Sequence, residues 1–227
     1  MVIKMNEIIN CYDVAIKESN ITLNGNVYLS DYSKSWIIFA HGSGSSHKSV
    51  RNVNVAKELT KAGHGTFLFD LLTREEDTIF ENRFNIPLLA NRLLMATKWL
   101  MSSKYYKHGT PIAYFGASTG AAAALMAVAH FSKNDLIYSV ISRGGRPDLV
   151  DHKILSTIFT PTLLIVGGED REVIELNKIA AQSLLNCRLT IVPRATHLFE
   201  EPGAMDEVTR LAVEWFDGHV PNVVEHP

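Results

Sequence analysis

The chain has 227 residues, of which 46% are hydrophobic and 20% charged, and its formal net charge is −2 at pH 7. This composition is that of a globular protein, and the length predicts one domain spanning residues 1–227. No basic field is present to attract nucleic acid or anionic membrane, and Cys11 and Cys187 form no ligand pair. We expect no nucleic-acid partner, no membrane partner, no metal and no cofactor.

We expect no targeting and no membrane-spanning segment. The N-terminal stretch MVIKMNEIINCYDV lacks the continuous apolar run of a secretory signal. No stretch of about 18 apolar residues, the length that a bilayer requires, is present. The sequence therefore predicts a cytoplasmic protein, as a monomer or a small homo-oligomer.

In chain order, alternating apolar residues first predict two strands within residues 14–29, with Asn24-Gly25-Asn26 as a possible turn or bulge. Short apolar runs then alternate with helical patterns. Further strands are predicted at 35–40, 66–70, 111–115, 136–142, 161–166 and 188–192, and helices at 50–62, 86–101, 118–130, 173–185 and 205–216.

Short strands that are apolar throughout and alternate with helices are typical of a parallel sheet covered on both faces. We therefore predict a three-layer α/β fold with about eight strands, the first pair antiparallel. Residues 142–161 leave room only for a short helix near 153–156, so no large cap domain is expected. The segment 71–84 is either a flap over the site or a solvated loop.

Ligands of such sheets bind at the carboxyl ends of the strands, so the loops after the strands are the informative ones. Ser118 follows one strand and precedes a helix, within Gly116-Ala117-Ser118-Thr119-Gly120. This GxSxG pattern at a strand-to-helix turn is typical of a nucleophilic serine. The alternative is a helix-capping serine with glycines for close packing.

A serine hydroxyl needs a base, and the base needs an orienting carboxylate. His197 follows the last strand and Asp170 the strand before it, which gives the order Ser-Asp-His of α/β-hydrolases. Asp148, one strand earlier, is the rival acid, and Glu169 should point away. The alternatives are a solvated loop for His197 and a helix cap for Asp170.

An acyl-transfer site also needs two N–H donors for the oxyanion. We expect the backbone N–H of Thr119 and that of Ser43, with Gly44 as the second choice. The loop His41-Gly42-Ser43-Gly44 suits this role because glycines leave backbone N–H groups unobstructed. His41 should hold the loop by hydrogen bonding.

Arg143 and Arg146 follow the strand at 136–142 and are candidate substrate-binding residues, as are Gly42 and Gly44. An arginine at this edge can bind a carboxylate or phosphate bidentately. The alternative is an ion pair with Asp148, Glu169 or Asp170. We expect this structural role for at least one arginine, and hypothesise that the other favours acidic substrates.

Six segments together resemble the dienelactone-hydrolase-like branch of the α/β-hydrolases: HGSGSS, FDLLT, GASTGAAAAL, SRGGRPDL, GGEDREV and ATHLFEEPG. They are most similar to short bacterial serine members that are sometimes fused to a phosphoribosyltransferase domain, and the resemblance covers about residues 14–217. It implies the α/β-hydrolase fold and a triad of Ser118, Asp170 and His197. Dienelactone hydrolases proper have a cysteine nucleophile, whereas this chain has Ser118.

The sequence thus predicts a serine hydrolase that cleaves carboxylic esters, lactones or thioesters of small acyl substrates through an acyl-enzyme. The alternative is a non-catalytic or accessory module of the same fold that works with a phosphoribosyltransferase-like partner. An acyltransferase that prefers an acceptor other than water is a third possibility.

Overall fold

One sheet of eight strands organises the computed structural model, which describes residues 9–30, 33–131 and 136–221. The strands are β1 (Asn10–Glu18), β2 (Ile21–Leu29), β3 (Ser35–Ala40), β4 (His64–Phe69), β5 (Ile112–Ala117), β6 (Ile137–Arg143), β7 (Thr162–Gly167) and β8 (Cys187–Val192). Their order is β1-β2-β4-β3-β5-β6-β7-β8, in which β2 is antiparallel to both of its neighbours and the other pairs are parallel. The predicted strand number and the antiparallel first pair are confirmed. Residues 1–8, part of the stretch searched for a secretory signal, lie outside the described residues.

Helices cover both faces of this sheet. They are α1 (Val50–Lys61), α2 (Arg74–Asp77), α3 (Ile86–Ser102), α4 (Thr119–Phe131), α5 (His152–Leu155), α6 (Arg171–Ser183) and α7 (Ala204–His219). Apolar residues of α1 and α7 form the core on one face, and those of α3, α4 and α6 form the core on the other. Strands β3 to β7 are buried at every residue, as expected for a sheet with two covered faces. The predicted three-layer fold is confirmed.

The first hairpin turns at a different place from the one predicted. Ser19, with a φ of 53°, lies in the tight turn between β1 and β2, whereas Asn24, Gly25 and Asn26 lie in regular pairing within β2. Gly25 serves close packing, because a Cβ built there would lie 2.5 Å from the carbonyl oxygen of Leu68 on β4. The predicted turn or bulge at Asn24-Gly25-Asn26 is therefore wrong.

No large cap domain interrupts the described chain between β6 and β7. This stretch holds only a 3₁₀ turn (Pro147–Leu149) and α5. The carboxyl end of the sheet is therefore bordered by its own loops. None of the described helices has both the length and the apolar character needed to cross a bilayer.

Candidate active site

Ser118 lies at a sharp turn between β5 and α4. Its φ of 52° is in the left-handed region, which residues other than glycine seldom adopt and which differs from the extended backbone of a helix cap. Gly116 and Gly120 allow the turn: a Cβ on Gly116 would lie 2.4 Å from the Cα of Ala121, and one on Gly120 would lie 2.2 Å from the carbonyl oxygen of Ala40. This backbone has the form of a nucleophile elbow.

Asp170 and His197 form a hydrogen bond at the same end of the sheet. The distance from Oδ2 of Asp170 to Nδ1 of His197 is 2.6 Å. Asp170 occupies the N-cap position of α6, but its side chain makes no capping bond, so its carboxylate serves the histidine. The rival acid, Asp148, instead accepts two hydrogen bonds from Arg146, at 2.8 and 2.7 Å. Glu169 is exposed.

Two glycines bring the loop that carries His197 against the neighbouring strands. A Cβ on Gly167 would lie 2.4 Å from the carbonyl oxygen of Ala195, and one on Gly144 would lie 3.6 Å from Cε1 of His197. Gly144 directly follows Arg143, whose carbonyl accepts the N–H of Ser118 at 3.2 Å. The imidazole therefore packs beside the strand end that is hydrogen-bonded to the serine backbone.

The loop after β3 lies against the serine from the other side. A Cβ on Gly42 would lie 3.0 Å from the Cβ of Ser118, so a larger residue would crowd the side chain of Ser118. Gly42, Ser43, Gly44 and Thr119 line one small cavity. Within the described residues, the N–H groups of Ser43 and Thr119 donate no hydrogen bond to another protein group. The two residues expected to supply the oxyanion donors thus line the same cavity.

His41 and the neighbouring pair of His47 with Asp70 hold this loop in place. The hydrogen bonds assign the proton of His41 to Nδ1, which donates to the carbonyl of Gly42 at 2.9 Å, while Nε2 accepts the N–H of Leu71 at 3.0 Å. Burial lowers the pKa of His41, which favours this neutral form. Asp70 accepts the backbone N–H of His47 at 2.9 Å and bonds to its Nδ1 at 2.8 Å. The predicted structural role of His41 is confirmed.

Four residues of the segment 71–84 line the same cavity as the loop after β3. Thr73 and Glu76 form a capping box that starts α2, and a 3₁₀ turn (Phe80–Phe84) follows. Arg83 binds Asp77 through two nitrogens, at 2.8 and 3.0 Å, and both side chains line the cavity with Ser43 and Gly44. Arg74, Glu75 and residues 78–81 of the same segment are exposed, so the choice between a flap over Ser118 and a solvated loop stays open.

The two candidate arginines have different surroundings. Arg146 is half-buried and forms the ion pair with Asp148, as in the structural alternative. Arg143 is 7% exposed, donates to Oδ1 of Asn52 at 3.3 Å, and stacks 5.8 Å from the ring centroid of Phe199. The sequence analysis did not identify Asn52 or Phe199. Asn52 could have been noticed in the sequence because it is a polar residue on the face of α1 that carries the buried apolar residues.

No group of three or more His, Cys, Asp or Glu side chains among the described residues is arranged to hold a metal ion. The parts of this site are a strained serine, a histidine bonded to a carboxylate, and a loop of small residues facing the serine. Together with the strand order, they define the α/β-hydrolase class.

Comparison with known proteins agrees with this class. No family model matches the chain. The structure of a dienelactone hydrolase from Anabaena variabilis is 45% identical, covers 94% of this chain and 99% of its own, and superposes with a TM-score of 0.87. The esterase Est1E from Butyrivibrio proteoclasticus shares the fold at 16% identity and a TM-score of 0.77, over 92% of this chain and 98% of its own.

Curated relatives are longer than this chain. Two Mycobacterium tuberculosis proteins named as phosphoribosyl transferases are 47% identical over 210 residues, which is 92% of this chain and 46% of theirs. The chain therefore spans about half the length of the curated relatives it matches. Because the match to the Anabaena variabilis enzyme is nearly complete in both chains, this protein belongs to the dienelactone-hydrolase-like branch of the α/β-hydrolases.

Proposed function

We propose that the protein is a serine hydrolase that cleaves carboxylic esters, lactones or thioesters of small acyl substrates. The observation that carries this proposal is the strained backbone of Ser118, which is hydrogen-bonded to Arg143 at the end of β6. Gly144, the next residue, packs against His197, which is bonded to Asp170. The hydrolase family and the cavity lined by Ser43 and Thr119 support the proposal.

In the proposed reaction, Oγ of Ser118 attacks the carbonyl carbon while Nε2 of His197 takes the hydroxyl proton. Asp170 holds the imidazole through Nδ1 and stabilises its charge. The N–H groups of Ser43 and Thr119 donate to the oxyanion of the tetrahedral intermediate. His197 then protonates the leaving alcohol or thiol as the C–O or C–S bond breaks. Water then attacks the acyl carbon while His197 takes its proton, and His197 returns that proton to Oγ of Ser118 as the C–Oγ bond breaks and the acid leaves.

A fluorophosphonate probe tests the nucleophile directly. Wild-type protein should be labelled stoichiometrically at Ser118, and the variant Ser118→Ala should be unlabelled. On chromogenic esters of varied acyl length and charge, Ser118→Ala should lower kcat by on the order of 10³-fold or more. Wild type that is inert to the probe and to every ester would contradict the proposal.

The second candidate is an accessory module that works with a phosphoribosyltransferase-like partner. The observation that favours it is the length of the Mycobacterium tuberculosis relatives, of which this chain matches 46%. An inert Ser118 in the labelling experiment is the result that this candidate predicts. Faster product formation with an added alcohol acceptor would instead indicate an acyltransferase.

A further inference from the structure

Arg143 is a buried cation that pairs with no acidic side chain among the described residues. Arg143 is the last residue of β6, and it is 7% exposed. Within the described part of the chain, its Nε has no hydrogen-bond partner. Burial and the nearby Arg51 lower its pKa to about 10, so the guanidinium stays charged at neutral pH. An unpaired buried charge is unfavourable for folding, which raises the question of what this arginine supports.

The side chain of Arg143 joins two parts of the protein that are distant in sequence. On one side it donates to Asn52, which is buried in the first turn of α1. On the other side its guanidinium stacks on Phe199, which is 1% exposed and lies two residues after His197. A cation over an aromatic ring is stabilised most when water is excluded, as it is here.

The backbone of Arg143 belongs to the site as well. Its carbonyl accepts the N–H of Ser118, and the next residue, Gly144, packs against His197. Arg143 therefore contacts the turn at Ser118, helix α1 and the loop of residues 193–199 that carries His197, which we call the histidine loop.

The histidine loop depends on such tertiary contacts. Two of its residues that are not glycine, Arg194 and Phe199, have φ values of 62° and 55°. Backbone of this kind is unfavourable in isolation and persists only where the surroundings impose it. The contact between Arg143 and Phe199 lies at one end of the segment that holds His197.

We propose that Arg143 is a positioning residue, which acts through Phe199 to keep His197 aligned with Ser118 rather than binding substrate itself. This inference rests on the proposed hydrolase function. For Arg143, this proposal replaces the hypothesis that the residue binds acidic substrates, because its guanidinium is buried between Asn52 and Phe199.

The experiment compares Arg143→Met, Phe199→Leu and the double variant on one neutral and one acidic ester. Arg143→Met should lower kcat about 10- to 100-fold on both esters, with KM changed less than about 3-fold. The double variant should be no slower than the slower single variant, because both changes break the same contact. Arg143→Lys, which keeps the charge, should recover part of the lost kcat.

Arg210→Met, on the exposed face of α7, is the matched control and should keep kcat within about 2-fold. A rise in KM confined to the acidic ester would overturn the inference and assign Arg143 to substrate binding. Losses that multiply in the double variant, or an unchanged kcat in Arg143→Met, would also overturn it. If Arg143→Met does not fold, Phe199→Leu takes its place: it should lower kcat on both esters with little change in KM, and an unchanged kcat would overturn the inference. Failure of fluorophosphonate to label wild type would refute the hydrolase proposal instead.

Discussion

Within the described residues, a serine, a histidine and an aspartate lie near each end of the sheet, and the two groups differ in hydrogen bonding, backbone and burial. At the amino end, Oγ of Ser35 lies 2.7 Å from Nδ1 of His64, whose Nε2 lies 2.9 Å from Oδ1 of Asp217. At the carboxyl end, His197 bonds to Asp170, and among the hydrogen bonds of the described residues none joins the hydroxyl of Ser118 to His197.

The two groups differ in backbone and in access. Ser35 lies in regular β3 and, like His64, is 0% exposed, while its hydroxyl also bonds to the hydroxyl of Tyr138 at 3.0 Å. Ser118 is half-buried on a strained turn beside a loop with N–H groups that donate to no other described group. Hydrogen-bond geometry alone therefore does not identify a nucleophile. Access for substrate and donors for an oxyanion are needed as well.

The largest expected difference between the two ends of the sheet is in how much each carboxylate contributes to kcat. Asp170→Asn should lower kcat on a chromogenic ester by on the order of 10³-fold, because the imidazole loses its orienting charge. Asp217→Asn should leave kcat within about 2-fold and lower the free energy of unfolding by up to about 1 kcal/mol, since Lys34 and His64 lose a charged partner that is largely solvated. Comparable losses of kcat in both variants would contradict the distinction drawn here.

A smaller effect is expected at the rival acid of the carboxyl end. Asp148→Asn removes the ion pair with Arg146, which is 33% exposed at its side chain, and should change kcat less than about 5-fold. Steady-state kinetics beside Asp170→Asn provide the measurement. If Asp148→Asn is the more damaging of the two, Asp148 is the acid of the triad.

At the amino end, the buried His64 should make the stability of the protein depend on pH. Burial, followed by the charge of Lys34, lowers the pKa of His64 to about 4 in the folded protein, from an ordinary value of 6.5. The unfolded chain therefore binds the proton more readily, so the free energy of unfolding should fall as the pH is lowered from about 6.5 to about 4, by at most about 1.4 kcal/mol per pH unit.

Urea unfolding at several pH values measures this slope. His64→Gln should flatten the slope without abolishing it, because burial also lowers the pKa of His41. An unchanged slope in His64→Gln would show that the buried imidazole at the amino end does not titrate in this way.

Much of the fold was predictable because its signals are local. Apolar runs marked β3 to β8, and their parallel arrangement required that the loops with Ser118, Asp170 and His197 meet at one edge. Sequence order also distinguished these loops from Ser35 and His64, which begin strands rather than follow them. The sequence analysis placed the hairpin turn wrongly because Gly25 is required for close packing against β4, a contact between strands that the sequence does not reveal.

The amino-acid sequence by itself determined the alternation of strands and helices, the small residues around Ser118, and therefore the edge of the sheet where the candidate site lies. Only the tertiary structure decided which partner each charged side chain takes: Asp170 with His197, Asp148 with Arg146, and Arg143 with Asn52 and Phe199. The physical reason is distance. Backbone preference and apolar periodicity act over a few residues, whereas hydrogen bonds and burial depend on groups that only the folded chain brings together.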